Sequence, residues 1–421
     1  MKTSFLTSDQ PVPLPNGSGI GAQRDSTWQG RFGRKMKRRH LVTLVFAPLL
    51  FAALNGCGGS SSSTPTQSPV PAQVITTVPI GVVPVAVAVN SPTNRIYVAN
   101  RGNGVSPGNV MAIDGATNAV TVVATAGVGP CGIAVNSLSN KIYVTNSYED
   151  SVTVIDAGTN NTQTISLTVG SFPCAVAVDV ATNMVYIANY GRGSITVMDG
   201  STYNPTTVPV ANGPTNIAIN SATNKIYVSN SRRGSASPLT VIDGATLQTT
   251  SVPLDPLVSG TSYVALNSVT NDVYVSGGVI VTVIDGATLA TSTLTADGGS
   301  LGVIGLNANS NKVYVANNAT NSVEVIDGAT MGTLMVPTGH YPGVIAVDEA
   351  INQIYVLNRD SGTVTVIDGA SNATSLLSVG LSPIAAALNP TTHRVYVVNQ
   401  CGSDDSKCST NGTLTVIEGP H

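Results

Sequence analysis

The chain has little charge, few aromatic rings and almost no histidine. Charged residues make up 10% of its 421 positions and aromatics 5%, which argues against long solvated helices. With 42% hydrophobic residues it is still too apolar for wholesale disorder. After residue 57 only His340, His393 and His421 remain, and a lone His340 cannot supply the three ligands of a hydrolytic zinc site. The sequence contains no H-E-x-x-H and no D-x-[DN]-x-[DN]-G calcium loop, so neither a metal nor another cofactor is expected. Gly (42 residues), Val, Thr, Asn and Ser are abundant instead, a mixture suited to short strands and tight turns.

Charge is unevenly placed. Residues 1–56 hold eight of the nineteen Lys and Arg but only two acids, Asp9 and Asp25. The remainder carries eleven basic and twenty acidic residues, a net −9. Such a domain gains nothing from phosphate counterion release, which excludes a nucleic-acid partner. The basic excess ends at Lys35-Met36-Lys37-Arg38-Arg39-His40, followed by the apolar stretch Leu41 to Leu54. That stretch is short for a membrane span and has the flanks of a secretory signal. It runs into Leu54-Asn55-Gly56-Cys57, which resembles the bacterial lipobox, although Asn55 departs from the usual small or hydroxyl residue there. The resemblance implies acylation of Cys57, secretion across the inner membrane, and a lipid anchor in the cell envelope, at the outer membrane or cell surface. Residues 1–35 then read as a mis-annotated or disordered leader, with Met36 as the expected start. Residues 36–56 are the signal peptide and 57–72 a Gly/Ser/Pro-rich tether.

Residues 73–421 are repetitive. A tyrosine recurs at Tyr97, Tyr143, Tyr186, Tyr227, Tyr274, Tyr314, Tyr355 and Tyr396, at intervals of 40 to 47 residues. An acid closing a V-x-V-I-D run recurs at Asp114, Asp156, Asp199, Asp243, Asp285, Asp327, Asp368 and Glu418. Each unit reads as four strands. Strand A is an apolar run such as Val85 to Asn90 or Val344 to Asp348. After an Asn/Ser/Thr-rich turn comes strand B, as at Lys225 to Asn230. Strand C is the V-I-D run, and an Asp-Gly-Ala-Thr turn leads to a Thr/Val-rich strand D. Four strands in about 42 residues, repeated, is the pattern of propeller blades.

Tyr143-Val144-Thr145-Asn146 spells the motif of the YVTN family of β-propellers, and Tyr97-Val98-Ala99-Asn100, Tyr186-Ile187-Ala188-Asn189, Tyr227-Val228-Ser229-Asn230 and Tyr314-Val315-Ala316-Asn317 resemble it. The fifth unit, Tyr274-Val275-Ser276-Gly277, lacks the Asn. The resemblance implies a cell-surface propeller and says little of activity. Eight A-B-C sets enclose only seven D strands, and Val74 to Ile80 supplies the eighth. The expectation is an all-β, eight-bladed propeller of four-stranded antiparallel blades, closed by an N-terminal outer strand.

In a propeller the D–A and B–C loops share one face, around the channel mouth. The repeated acids fall on the other face, where capping of turns accounts for them. The repeated tyrosines read as packing elements with a hydrogen-bonding tip. Function is expected where the repeats differ: Arg101, Tyr190, Arg192, Arg232, Arg233 and Arg359 in B–C loops, and Phe172, Tyr263, His340 and Tyr341 in D–A loops. These suit a protein, glycan or small anionic ligand held by forked hydrogen bonds. The alternative is a lactonase-like hydrolase or a lyase using His340 and Tyr341 as acid and base. Eight-bladed quinoproteins repeat a Trp motif, whereas the one Trp here, Trp28, precedes the repeats. Cys401 and Cys408 flank one polar loop and are expected to bridge. Cys131 and Cys174 occupy equivalent positions one unit apart, either bridged near the upper distance limit or held as two small buried thiols.

Overall fold

The computed structural model describes residues 71–420 apart from 232–237, 259, 261, 297 and 402–410. Among them every helix or strand is a strand, and the strands form eight four-stranded antiparallel sheets. Blade 1 is Pro84–Asn90, Arg95–Asn100, Asn109–Asp114 and Val120–Thr125, paired in chain order as A to D. Blade 8 differs: its A, B and C strands are Leu381–Asn389, Arg394–Cys401 and Asn411–Glu418, and its D strand is Gln73–Val82. The register Gln73↔Glu418 and Thr77↔Thr415 joins the first strand to the last. The expected eight-bladed ring closed by an N-terminal strand is therefore what the chain forms.

Alternation within each strand sends side chains toward the two neighbouring blades. Each of the eight buried clusters accordingly spans one junction. Tyr97, Ala99 and Val110 of blade 1 pack on Ile133 and Val144 of blade 2. Val87, Ile96 and Val98, on the opposite face of blade 1, meet Tyr396, Leu414 and Val416 of blade 8. All eight repeated tyrosines are at most 1% exposed, confirming them as packing elements. The hydrogen-bonding tip is not realised in six of them: the hydroxyls of Tyr143, Tyr186, Tyr227, Tyr274, Tyr314 and Tyr355 have no partner among the described residues. The hydroxyl of Tyr143 instead lies beneath the neighbouring blade's turn at Gly200, too close for a side chain there.

The rest of the motif also works between elements. Where position three is Thr or Ser, its hydroxyl donates to strand A of the next blade: Thr145 to the Cys174 carbonyl (2.8 Å) and Ser229 to that of Ser262 (2.9 Å). The Asn at position four is buried and braces strand C: Asn189, Asn358 and Asn399, like Asn146, donate to two hydroxyls there, and Asn146 also reaches the incoming D–A loop. Asn146 accepts from the Gly127 N–H at 3.1 Å and donates to Ser151 and Thr153. A second belt closes the ring at the A–B turns. The last Asn of strand A donates to a turn Asn of the next blade, as in Asn90 to Asn140 (2.8 Å) and Asn389 to Asn94 (2.8 Å). In the third and seventh blades an acid replaces that Asn, and its partner changes with it. Asp179 accepts from Ser221 at 2.8 Å, and Asp348 pairs with His393 Nδ1 at 2.9 Å.

The two inner cysteines are bridged. Cys131 and Cys174 join the A strands of blades 2 and 3, with Cα atoms 5.0 Å apart. This is closer than blade equivalence alone suggested, because Gly132 offers no side chain to hold the strands apart: a Cβ there would lie 2.1 Å from the Cys174 carbonyl oxygen. Cys401 is also disulfide-bonded, while Cys408 lies outside the described residues.

Candidate functional site

The A–B and C–D turns make one face, here called lower. Gly115 N–H donates to the Asn94 carbonyl across the two turns, and Gly200, Gly244, Gly286, Gly328 and Gly369 repeat the bond. Asp114 accepts from the N–H groups of Ala116 (3.0 Å) and Thr117 (2.9 Å). Asp156, Asp199, Asp243, Asp285, Asp327 and Asp368 do the same within their own turns. These amide donors hold the Asp114, Asp199, Asp285, Asp327 and Asp368 carboxyls below the usual range. For Asp156 and Asp243 the larger cause is a lysine, Lys141 at 2.6 Å and Lys225 at 2.7 Å. Capping was the expected role.

A glycine directly after a turn acid is expected to take positive φ, and here it does not. Gly115, Gly200, Gly244, Gly286, Gly328 and Gly369 do not take positive φ. The left-handed residue comes later, at Asn118, Tyr203, Leu247, Leu289, Met331 and Asn372, with φ of 59–62°. The glycine is favoured because a Cβ at Gly115 would lie 2.3 Å from Asn94 Oδ1. Blade 2 carries Ala157 there with the same backbone bond (3.0 Å), so the Asn side chain can make room for one methyl.

The upper face is built from D–A and B–C loops tied by backbone bonds, including Arg101 N–H to the Val83 carbonyl (2.8 Å) and Arg359 N–H to that of Tyr341 (3.0 Å). It carries Arg101, Tyr190, Arg192, His340, Tyr341 and Arg359. Tyr263 opens strand A of blade 5 and is half-buried. Arg232 and Arg233 lie outside the described residues, as does Cys57. Each described arginine reaches a local partner: Arg101 Nε to the Pro130 carbonyl (3.5 Å), Arg359 Nε to Ser382 Oγ (3.4 Å), and Arg192 to the Val169 carbonyl. Arg101 and Arg359 thus tie their blades to the next one, while Arg192, exposed, reaches the D–A loop that leads into its own blade.

Residues just before strand A share an unusual backbone. Gly129 and Gly213 have φ of 71° and 68°, and Val83, Phe172, Tyr341 and Ser382 take φ of 45–57° at the same place. That region is costly for bulky side chains, and two clamps that the loop sequences did not reveal hold the aromatic pair. Asp150 accepts from the N–H groups of Gly170 (2.7 Å) and Phe172 (2.8 Å). Asn321, its equivalent in blade 6, accepts from Tyr341 N–H at 3.0 Å. Both clamps immediately precede strand C in their blades, the one sequence signal that links them. Tyr148, Phe172 and Tyr190, 43–52% exposed, stand on successive loops of this face. Among the described residues no group of three His, Cys, Asp or Glu is placed to hold a metal.

The fold and loops define an eight-bladed β-propeller. No protein-family model matches the chain, and no curated protein matches it. Solved structures do resemble it. Hydrazine synthase of Kuenenia stuttgartiensis superposes with a TM-score of 0.54 at 18% identity, over 69% of this chain and 95% of that one. Virginiamycin B lyase from Staphylococcus aureus gives 0.54 at 12%, over 69% and 94%. The dihydro-heme d1 dehydrogenase NirN gives 0.56 at 16% over 69% of this chain, which spans 64% of that protein. At such identities the likeness is one of fold.

Proposed function

We propose that the chain is a YVTN-type propeller lipoprotein of the bacterial envelope, acting as a recognition scaffold through its upper face. The observation that carries this reading is the contrast between the two faces. Lower-face polar groups are spent on turn caps, the inter-blade Asn belt and ion pairs. The upper loops differ from blade to blade and expose aromatic and arginine side chains. The anchor fits the same arrangement. Gln73 pairs with Glu418 at the lower end of blade 8, so a tether from Cys57 enters at the lower face.

Sedimentation with isolated envelope material tests the face. Each charge-assisted contact contributes roughly 1.5–3 kcal/mol, so Arg192→Ala with Arg359→Ala should weaken binding by about a hundredfold or more. Lys141→Ala with Lys225→Ala on the lower face should change it little. Equal losses from both faces would refute the assignment. Anchoring is tested separately: Cys57→Ser should move the protein out of the membrane fraction.

A second reading, a lyase or lactonase-like hydrolase using His340 and Tyr341, is favoured by the clamped, left-handed Tyr341 and by the fold shared with virginiamycin B lyase. Turnover of a lactone that disappears in His340→Ala would replace the scaffold reading.

A further inference from the structure

We infer that the upper face from blade 2 to blade 4 docks a polypeptide segment bearing an apolar side chain beside a carboxylate. This rests on the upper face being the recognition face and names what it takes. Three half-exposed rings stand at successive loop junctions, each lying over a glycine. A Cβ on Gly129 would meet the Tyr148 ring at 2.5 Å, one on Gly191 would meet Phe172 at 2.5 Å, and one on Gly213 would come within 3.4 Å of Tyr190. The rings are therefore fixed in place before any partner arrives, which removes part of the ordering cost of binding.

Phe172 is the most telling of the three. Gly129 and Gly213 hold the same backbone position without steric cost, yet here a Phe is kept at φ 45° and left 49% exposed. The Asp150 clamp reaches only the backbone N–H of Phe172, so the ring is not what holds this φ. An exposed ring kept on a strained backbone is retained for an external contact.

The surrounding chemistry selects the partner. The patch continues into aliphatic Val169 (78% exposed), which offers a sugar no hydrogen bond. Of its acids, Asp150 is half-buried and used by Gly170 and Phe172, while Glu149, though exposed, lies against Gly127 in the loops of blade 2. Arg192 is the exposed cation among the described residues of the patch, its Nε and one terminal nitrogen held by the Val169 carbonyl. That orientation leaves Nη1 for a carboxylate. Tyr, Phe and Arg side by side are the make-up of a protein interface centre.

The test is a random peptide display library panned on the full chain, with Phe172→Gly and Arg192→Gln as separate comparison variants. Glycine is the residue blades 2 and 4 already use at this position, so Phe172→Gly should keep its circular dichroism and melting midpoint. The inference expects enriched peptides that pair an apolar residue with Asp or Glu. They should lose at least tenfold in affinity on either variant and nothing on the lower-face pair Lys141→Ala with Lys225→Ala. No enrichment, or peptides that bind the variants equally well, would overturn it. Retention of oligosaccharides by Tyr148, Phe172 and Tyr190 would overturn the polypeptide partner and leave the recognition face standing. Peptides lost only on Lys141→Ala with Lys225→Ala would overturn the face itself.

Discussion

Raising the pH above about 10 should unfold the ring, because its eight blade-junction tyrosines cannot ionise in place. Burial raises the pKa of all eight, to about 12 for Tyr186, Tyr274 and Tyr314 against 10.0 for the free group. A raised folded pKa means the native state keeps protons that the unfolded chain releases. The stabilisation is complete below pH 10 and is lost as the pH climbs toward 12. At pH 11 each of those three rings loses about 1.4 kcal/mol, so together they remove roughly 4 kcal/mol. The other five shift in the same direction, against a typical total stability of 5–15 kcal/mol. Circular dichroism followed alongside tyrosinate absorbance should show the sheet signal collapsing near pH 11, in step with ionisation of the core rings. Full ionisation of these rings while the sheet signal survives would refute the reasoning.

Three further outcomes follow from the ring. The Cys131–Cys174 bridge closes a loop of 43 residues, so replacing both with Ser should cost about 4 kcal/mol in denaturant unfolding; a loss below about 1 kcal/mol would show that the bridge constrains little. Deleting Val74 to Ile80 should bare the Asn411–Glu418 edge of blade 8 and lower the melting midpoint of the whole ring; a truncated protein that melts like the full chain would contradict the closure. Asp272 faces Asp285 across strands where blades 2 and 4 place a Lys; Asp272→Lys should raise the midpoint slightly, and the gain should shrink in high salt.

The repeated parts were legible because one local physics acts eight times. Strand periodicity, the V-I-D caps and the spare strand at Val74 to Ile80 all recur in, or complete, a period that the residues display. What lay hidden depends on contacts between blades. The turn glycine's reason is an Asn side chain some twenty residues earlier in the chain, and the clamp on Phe172 comes from Asp150 in the preceding blade. The missing Asn at Gly277 was visible, but its reason was not. Its blade receives a ten-residue D–A loop (253–262), where other junctions use one to six residues. Glu324 was also passed over: it is 4% exposed in strand C of blade 6, where Thr153, Thr196, Thr240, Thr282, Thr365 and Thr415 stand in other blades.

The claim that the upper face does the recognising can be read without knowing the partner, by hydroxyl-radical footprinting of the protein in its own envelope against the purified soluble form. Phe172 and Tyr190, both more than 40% exposed in the free chain, should oxidise several-fold more slowly in the envelope. Leu138 and Val269 on the lower turns, 79% and 73% exposed, should keep most of their reactivity. Upper-face rings that oxidise equally fast in both settings, or protection confined to Leu138 and Val269, would contradict the account.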